Sequence, residues 1–245
     1  MLDLFSGIGG FHLAAEWCWG DELECVGHVE IDKFCQKVLK KHWSDVPIYD
    51  DVKTFKYDGE VDLITGGFPC QDISIAGKGE GIEGKRSGLW TEFKRIISEC
   101  RPKFALIENV PNLIHRGLDR VLCDLAEIGY SCEWQSISAS EVGAWHKRER
   151  IWIVAYPNSE RLQGSEHDTI HTKAQKRQTD LLYARFFNQG YNNISRPEDL
   201  RNANGLSVEA HRLKSLGNAI VPQVAFIIMQ QIKEVMDNDK SRSVI

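Results

Sequence analysis

The sequence predicts an α/β fold built on a mostly parallel sheet with helices on both faces. Short β-rich runs alternate with helical stretches through residues 1–156. That order lays strands side by side and folds each connecting helix back over them. A Gly-rich turn, Ser6-Gly7-Ile8-Gly9-Gly10, joins the first strand to the first helix, where open α/β sheets bind ligands. A length of 245 residues accommodates one large domain of this kind with a small appendage.

The elements follow in order. Leu2–Phe5 is apolar and strand-like, and Phe11–Trp19 is expected to be helical. Glu24–Ile31 is the second strand and Lys33–His42 the second helix. Val61–Thr65 is the third strand, closed by Gly66-Gly67. Leu89–Cys100 has helical spacing. Phe104–Ile107 is a strand ended by Pro111, and Leu118–Ile128 a helix. Cys132–Ile137 and Ile151–Tyr156 are strands. Residues 157–211 are polar, rich in Asn, Gln, Arg and His, and poor in periodic apolar residues. They are expected to form a small irregular region with little core. Val221–Val235 predicts a helix that packs back on the sheet, and Asp237–Ile245 is expected to fray. The chain thus divides into 1–156, 157–211 and a returning segment, 212–245.

The net charge of −5 argues mildly against a nucleic-acid partner. The charge is uneven, however. Residues 157–214 hold nine Lys+Arg against seven Asp+Glu, and a phosphate-facing surface need only be locally positive. No apolar run reaches the roughly 18 residues of a membrane helix. The start, Met-Leu-Asp-Leu-Phe-Ser-Gly, lacks a basic n-region, which predicts a cytoplasmic protein. The seven cysteines are odd in number and include no C-x-x-C pair, so neither a disulfide framework nor a metal site is expected.

Four segments carry chemistry. Glycines in the first turn permit positive φ and close approach of a ligand to the backbone. About 20 residues on, Glu30 closes the second strand, where a carboxylate can accept from ribose hydroxyls. Asp51, just before the third strand, could reach an adenine amine. These placements favour a nucleoside cofactor over an empty tight turn, and leave open whether it is NAD or S-adenosylmethionine. Gly66-Gly67-Phe68-Pro69-Cys70-Gln71 follows the third strand and sets Cys70 on the ligand-binding edge. A nucleophilic cysteine needs exposure and thiolate character. Glu108 ends the strand beginning at Phe104; it either caps the next segment or, partly buried, donates a proton. In Trp145-His146-Lys147-Arg148-Glu149-Arg150, Arg148 and Arg150 share strand parity. They are either a solvated face or a pair of guanidiniums that hold a pyrimidine carbonyl or a phosphate.

Together these segments resemble the cytosine-5 DNA methyltransferase family. Asp3-Leu4-Phe5-Ser6-Gly7-Ile8-Gly9-Gly10 is similar to its cofactor motif and Gly67-Phe68-Pro69-Cys70-Gln71 to its nucleophile motif. Glu108-Asn109-Val110 is similar to its acid motif, His146-Lys147-Arg148-Glu149-Arg150 to its Gln-x-Arg-x-Arg motif, and Gly217-Asn218-Ala219-Ile220-Val221-Pro222 to its C-terminal motif. All five stand in the family's order. The resemblance implies a Rossmann-like S-adenosylmethionine-dependent methyltransferase fold with a small target-recognition region. It implies a flipped-out cytosine, attacked at C6 by Cys70 and protonated at N3 by Glu108, with Arg150 on O2 and Arg148 assisting. Phe5, Gly7, Gly9, Glu30, Ile31, Asp51, Val52, Leu89, Asn218 and Ala219 would line the S-adenosylmethionine site. Gln71 and Ser74 would face the DNA.

The chain departs from the family pattern at three places. His146 replaces the usual Gln. The region between the arginine and C-terminal motifs is short and lacks the family's second-last motif. The first strand starts at Met1. The short region implies relaxed or short-site specificity, with Arg161, Lys173, Lys176, Arg177 and Arg185 contacting phosphates of double-stranded DNA. A monomer is expected, with a cognate restriction endonuclease, where there is one, acting separately. An RNA cytosine-5 methyltransferase is the first alternative. The tRNA-modifying branch carries Pro-Pro-Cys-Gln and Cys-Phe-Thr, and this chain has neither. A catalytically weak DNA-binding relative is the second.

Overall fold

The computed structural model describes residues 1–69, 88–158 and 215–242, with side chains as far as residue 238. Cys70, Gln71, Ser74, Arg161, Lys173, Lys176, Arg177 and Arg185 lie outside the described residues. The strands are β1 (Leu2–Leu4), β2 (Gly27–Val29), β3 (Ile48–Tyr49), β4 (Leu63–Gly66), β5 (Phe104–Asn109), β6 (Tyr130–Ser138) and β7 (Glu149–Pro157). The helices are α1 (Gly10–Trp19), α2 (Lys33–His42), α3 (Leu89–Cys100), α4 (Leu113–Arg116), α5 (Leu118–Glu127) and α6 (Pro222–Arg242).

The strands form one sheet in the order β3-β2-β1-β4-β5-β7-β6. Every pairing from β3 across to β5 is parallel, while β7 runs antiparallel to both β5 and β6. Alternate side chains of a strand enter opposite faces, and each face has its own core. Leu4, Ile64, Ala105 and Ile107 pack with α3 and α5 through Phe93, Ile97 and Leu125. Leu63, Leu106 and Trp152 pack with α1 and α6 through Phe11, Ala14 and Met229. This is the Rossmann-like arrangement of class I methyltransferases.

Local chemistry sets the helix ends. Asp32 caps α2, its carboxylate accepting from Phe34 N at 2.8 Å and Cys35 N at 3.2 Å, while Lys40, Lys41 and His42 complement the dipole at the other end. Helix α3 stops at Arg101, in the left-handed region at φ 49°, with its guanidinium 4.7 Å from the centre of the Tyr130 ring. Asp124 on α5 ties this layer together, accepting from Trp90 Nε1 at 2.8 Å, Lys94 Nζ at 2.8 Å and Arg120 Nε at 3.0 Å.

Several elements differ from expectation. Strand β3 is only Ile48–Tyr49, too short to show an alternating pattern, so Asp51 follows this strand rather than merely preceding β4. Strands β5, β6 and β7 run one to two residues beyond their predicted ends. Helix α6 continues to Arg242 instead of fraying from Asp237, because nothing from 237 to 242 is Gly or Pro. The stretch Ser215–Asn238 is also long and apolar enough to cross a membrane by length and composition, which a count of unbroken apolar runs did not reveal. Its Val224, Ala225, Met229 and Ile232 are nevertheless buried against α1 as part of the core.

Candidate active site

The parallel strands end along one edge, and the Gly-rich turn lies on it. Phe5, Gly7 and Gly9 all have positive φ, at 53°, 55° and 86°. A Cβ added at Gly7 would meet nothing within 4 Å, whereas one at Gly9 would strike the Trp43 ring. Gly7 therefore opens onto free space and Gly9 is required for packing. Glu30, at the end of β2, accepts from Gly7 N at 2.7 Å through Oε2 and from Asp32 N at 2.7 Å through Oε1. Burial pushes its carboxyl up, opposed by those two backbone N–H groups. A carboxylate offers about four acceptor sites, so the Glu30 oxygens can still receive ribose hydroxyls. Ile31 beside it is 70% exposed, while Val52 is buried. Asp51 Oδ1 accepts from Lys53 N at 2.9 Å. Phe5 packs on Phe93 at 6.1 Å, and Leu89 opens α3 against the same core. An exposed apolar side chain, an open glycine and an acceptor at adjacent strand ends fit an adenosine-type ligand.

The returning segment meets this turn directly. A Cβ on Gly10 would lie 2.7 Å from the Ile220 side chain. Arg148 Nη2 donates to the carbonyls of Gly217 at 2.9 Å and Ala219 at 2.5 Å, bracketing the exposed Asn218.

One strand over, β5 carries the acid. Glu108 is 8% exposed, and its Oε1 lies 3.0 Å from Arg150 Nε. Burial pushes its carboxyl up to about 7, with the charges of Arg150 and Arg148 pulling the other way. The acid thus sits near neutrality, able to hold or release a proton at ordinary pH. Its neighbour Asn109 donates from Nδ2 to the Phe68 carbonyl at 3.2 Å. A Cβ on Gly67 would stand 2.9 Å from Glu108 Oε2, and one on Gly66 would stand 2.5 Å from the Leu4 carbonyl. The paired glycines thus let β4 run tight against β1 and the acid. Asn109 then pins the chain two residues ahead of Cys70. Asn109 has no role in the sequence expectations above; an amide directly after a strand-ending acid is the signal that marks it.

The expected shared parity of Arg148 and Arg150 does not hold in the backbone. Arg148 precedes β7 and has φ 30°, so alternation begins only at Glu149. Both cations still bear on Glu108, but Arg150 pairs with it while Arg148 reaches the returning segment.

Fold and edge define a Rossmann-like domain of the class I methyltransferase type, with an adenosine-type site at the ends of its first strands. The model of the C-5 cytosine-specific DNA methylase family matches residues 1–210, and the chain belongs to that family. It is 39% identical over 158 residues to the Type II methyltransferase M.CviJI of Paramecium bursaria Chlorella virus IL3A, covering 63% of this chain and 42% of that protein. It is 35% identical over 167 residues to M.HhaI of Haemophilus parahaemolyticus, covering 66% and 50%. Among solved structures, Spodoptera frugiperda DNMT2 shares the fold at a TM-score of 0.56 and 23% identity, covering 68% of this chain and 52% of that one. The chain spans half or less of the length of these two methyltransferases.

Proposed function

We propose that this chain methylates C5 of a flipped-out cytosine in double-stranded DNA, through a transient bond from Cys70 to C6. The observation that carries the reading is the approach of β4 to the acid. Gly67 abuts Glu108, and Asn109 holds Phe68, so the last described residues ahead of Cys70 run beside a carboxyl pushed up to about 7.

The ring chemistry needs both groups. Cytosine C5 is a weak nucleophile. Addition of the Cys70 thiolate at C6, with the Glu108 proton passing to N3, moves electron density onto C5. S-adenosylmethionine, when bound, supplies the methyl group as an electrophile. Arg150, which pairs with Glu108, would hold the cytosine O2. Loss of the C5 proton to a base, departure of the Cys70 sulfur and return of the N3 proton to Glu108 then restore the neutral aromatic ring. Glu30 would hold the ribose, Ile31 and Val52 would flank the adenine, and Asp51 would take its amine. Arg148 would position Asn218 against the cofactor. Residues 157–211, with Arg161, Lys173, Lys176, Arg177 and Arg185, would contact phosphates and read the site. We further propose a cytoplasmic monomer.

DNA is the first reading because the matching family is described as a C-5 cytosine-specific DNA methylase and the relatives as Type II methyltransferases. RNA is the second. The described residues would serve one extruded base and one cofactor with either polymer, and contacts to the 2′-OH are what separate them.

Bisulfite sequencing of DNA and RNA from cells expressing the chain, beside a Cys70→Ala control, tests both readings. Methylcytosine in a recurring DNA context, lost in the control, supports the first. Methylcytosine confined to RNA transfers the mechanism to the second substrate. None in either, from folded protein that binds S-adenosylmethionine, sinks the catalytic proposal.

A further inference from the structure

Beneath the Gly-rich turn, on the face covered by α1, side chains from separate elements converge. His12 comes from α1, His28 from β2 and Cys25 from the chain just ahead of β2. Their ligand atoms all lie within 4.8 Å of one another. His12 Nδ1 is 3.1 Å from His28 Nε2. Each imidazole has a carboxylate behind it. Asp3 Oδ2 lies 3.6 Å from His28 Nδ1, and Glu16 Oε1 lies 4.0 Å from His12 Nε2. Trp43 closes the group, stacked on His12 at 4.4 Å and donating from Nε1 to Glu16 at 2.7 Å.

The Asp3 carboxylate bears on where the His28 ring proton sits. Asp3 and His28 are fully buried, and Asp3 Oδ2 and His28 Nδ1 make no hydrogen bond elsewhere. An anion facing a ring nitrogen across that gap favours a proton on Nδ1, so His28 Nε2 presents a lone pair. Glu16, 4.0 Å from His12 Nε2 and already accepting from Trp43, leaves the His12 tautomer open, so His12 Nδ1 either donates to His28 Nε2 at 3.1 Å or turns a lone pair toward it, with the Cys25 sulfur beside them. A cation in place of that ring proton would be held by both nitrogens. Tetrahedral zinc with Zn–N of about 2.0–2.1 Å separates two nitrogens by about 3.3 Å. Carboxylates behind metal-bound histidines are the usual orienting groups.

We propose that His12, Cys25 and His28 form a buried site for a soft divalent cation of the zinc class, oriented by Asp3 and Glu16. Two nitrogens and one thiolate suit such an ion, and one coordination position remains for water. The site links β1, α1 and the entry to β2 directly under the cofactor turn, so the ion is a structural clamp on that turn. Cysteine spacing gives no sign of it, because the ligands come from three elements. The rival occupant is a single proton shared by the two rings.

The test uses the full chain, stripped with a chelator and then titrated with Zn²⁺, and with Co²⁺ as an optical probe. The expected result is one ion per chain and a thiolate-to-cobalt charge-transfer band that Cys25→Ser removes. Asp3→Asn should weaken Zn²⁺ binding roughly 10–100-fold. X-ray absorption on the zinc-loaded, unmutated chain should show nitrogen and sulfur neighbours together, which keeps the test independent of how any variant folds. Folded protein that binds no ion, an ion with no sulfur neighbour, or binding that survives Cys25→Ser unchanged overturns the site in favour of the shared proton.

Discussion

Arg150 Nε stands 3.0 Å from Glu108 Oε1, yet the Glu108 carboxyl is still pushed up to about 7. Burial outweighs a direct ion pair here. A carboxyl raised in the folded state binds its proton more tightly there than in the unfolded chain. Its contribution to stability is full below the ordinary carboxylate range and is lost as pH rises through about 7. Glu108→Gln mimics the protonated form. Denaturation midpoints of this variant should change less between pH 5 and pH 8 than those of the parent, by about 1 kcal/mol or more. Methyl transfer should fall by about 10²–10⁴-fold in the variant. In the parent it should decline as pH rises past about 7.

Arg148 links the substrate side to the returning segment. Arg148→Ala leaves the Gly217 and Ala219 carbonyls without their charged donor. Binding of S-adenosylhomocysteine, followed by calorimetry, should weaken by about 10-fold or more, since such bonds contribute about 1.5–3 kcal/mol. Arg148→Lys should recover part of the affinity, because both bonds leave a single nitrogen, Nη2, and an ammonium also offers more than one N–H. Unchanged affinity would remove Arg148 from the cofactor site.

The glycine pair separates folding from chemistry. A Cβ at position 66 meets the Leu4 backbone, which cannot move aside within the sheet, so Gly66→Ala should cost roughly 1–3 kcal/mol in chemical denaturation. A Cβ at position 67 meets only the end of the Glu108 side chain. Gly67→Ala should therefore fold nearly as well as the parent while its turnover falls, because the acid is displaced.

Asp124 is buried among three donors that hold its carboxyl below the ordinary carboxylate range despite desolvation. Its contribution is present above that range and is lost as pH falls through the lowered value. Asp124→Ala leaves the buried Trp90 Nε1 without its acceptor, while Lys94 keeps Glu127, and should cost roughly 1–3 kcal/mol at pH 7, read from the urea midpoint.

Much of this was legible in the sequence because the signals are local. The Gly-rich turn, Glu30 at a strand end and the Phe104 strand carrying Glu108 depend on residues close together in the chain, and each lies at the sheet edge that its position implied. What escaped depends on distant partners. Ile48–Tyr49 is a strand only because His28 and Val29 lie beside it. The left-handed turn at Arg148 is set where β7 starts and breaks a parity that the letters alone would keep. The His12–Cys25–His28 group exists because the β1–β2 register places Asp3 opposite His28 and α1 lays His12 over both.

The reversed direction of β7 has a consequence for modular exchange. The strand begins at Glu149, beyond the carboxyl end of β5, and ends at Pro157, beside Tyr130, with Asn158 N donating to the Gly129 carbonyl at 3.0 Å. The chain departs there from the amino edge of the parallel strands. It re-enters at Ser215, whose hydroxyl is 3.5 Å from the Cys35 sulfur, close to the carbonyls that Arg148 holds on the opposite edge. At about 3.3 Å per residue, a strand of nine residues separates those edges by roughly 25 Å. Any recognition segment transplanted between Asn158 and Ser215 must reach across the full depth of the sheet. Cassettes whose ends lie close together, as a hairpin's do, are the wrong shape for this scaffold.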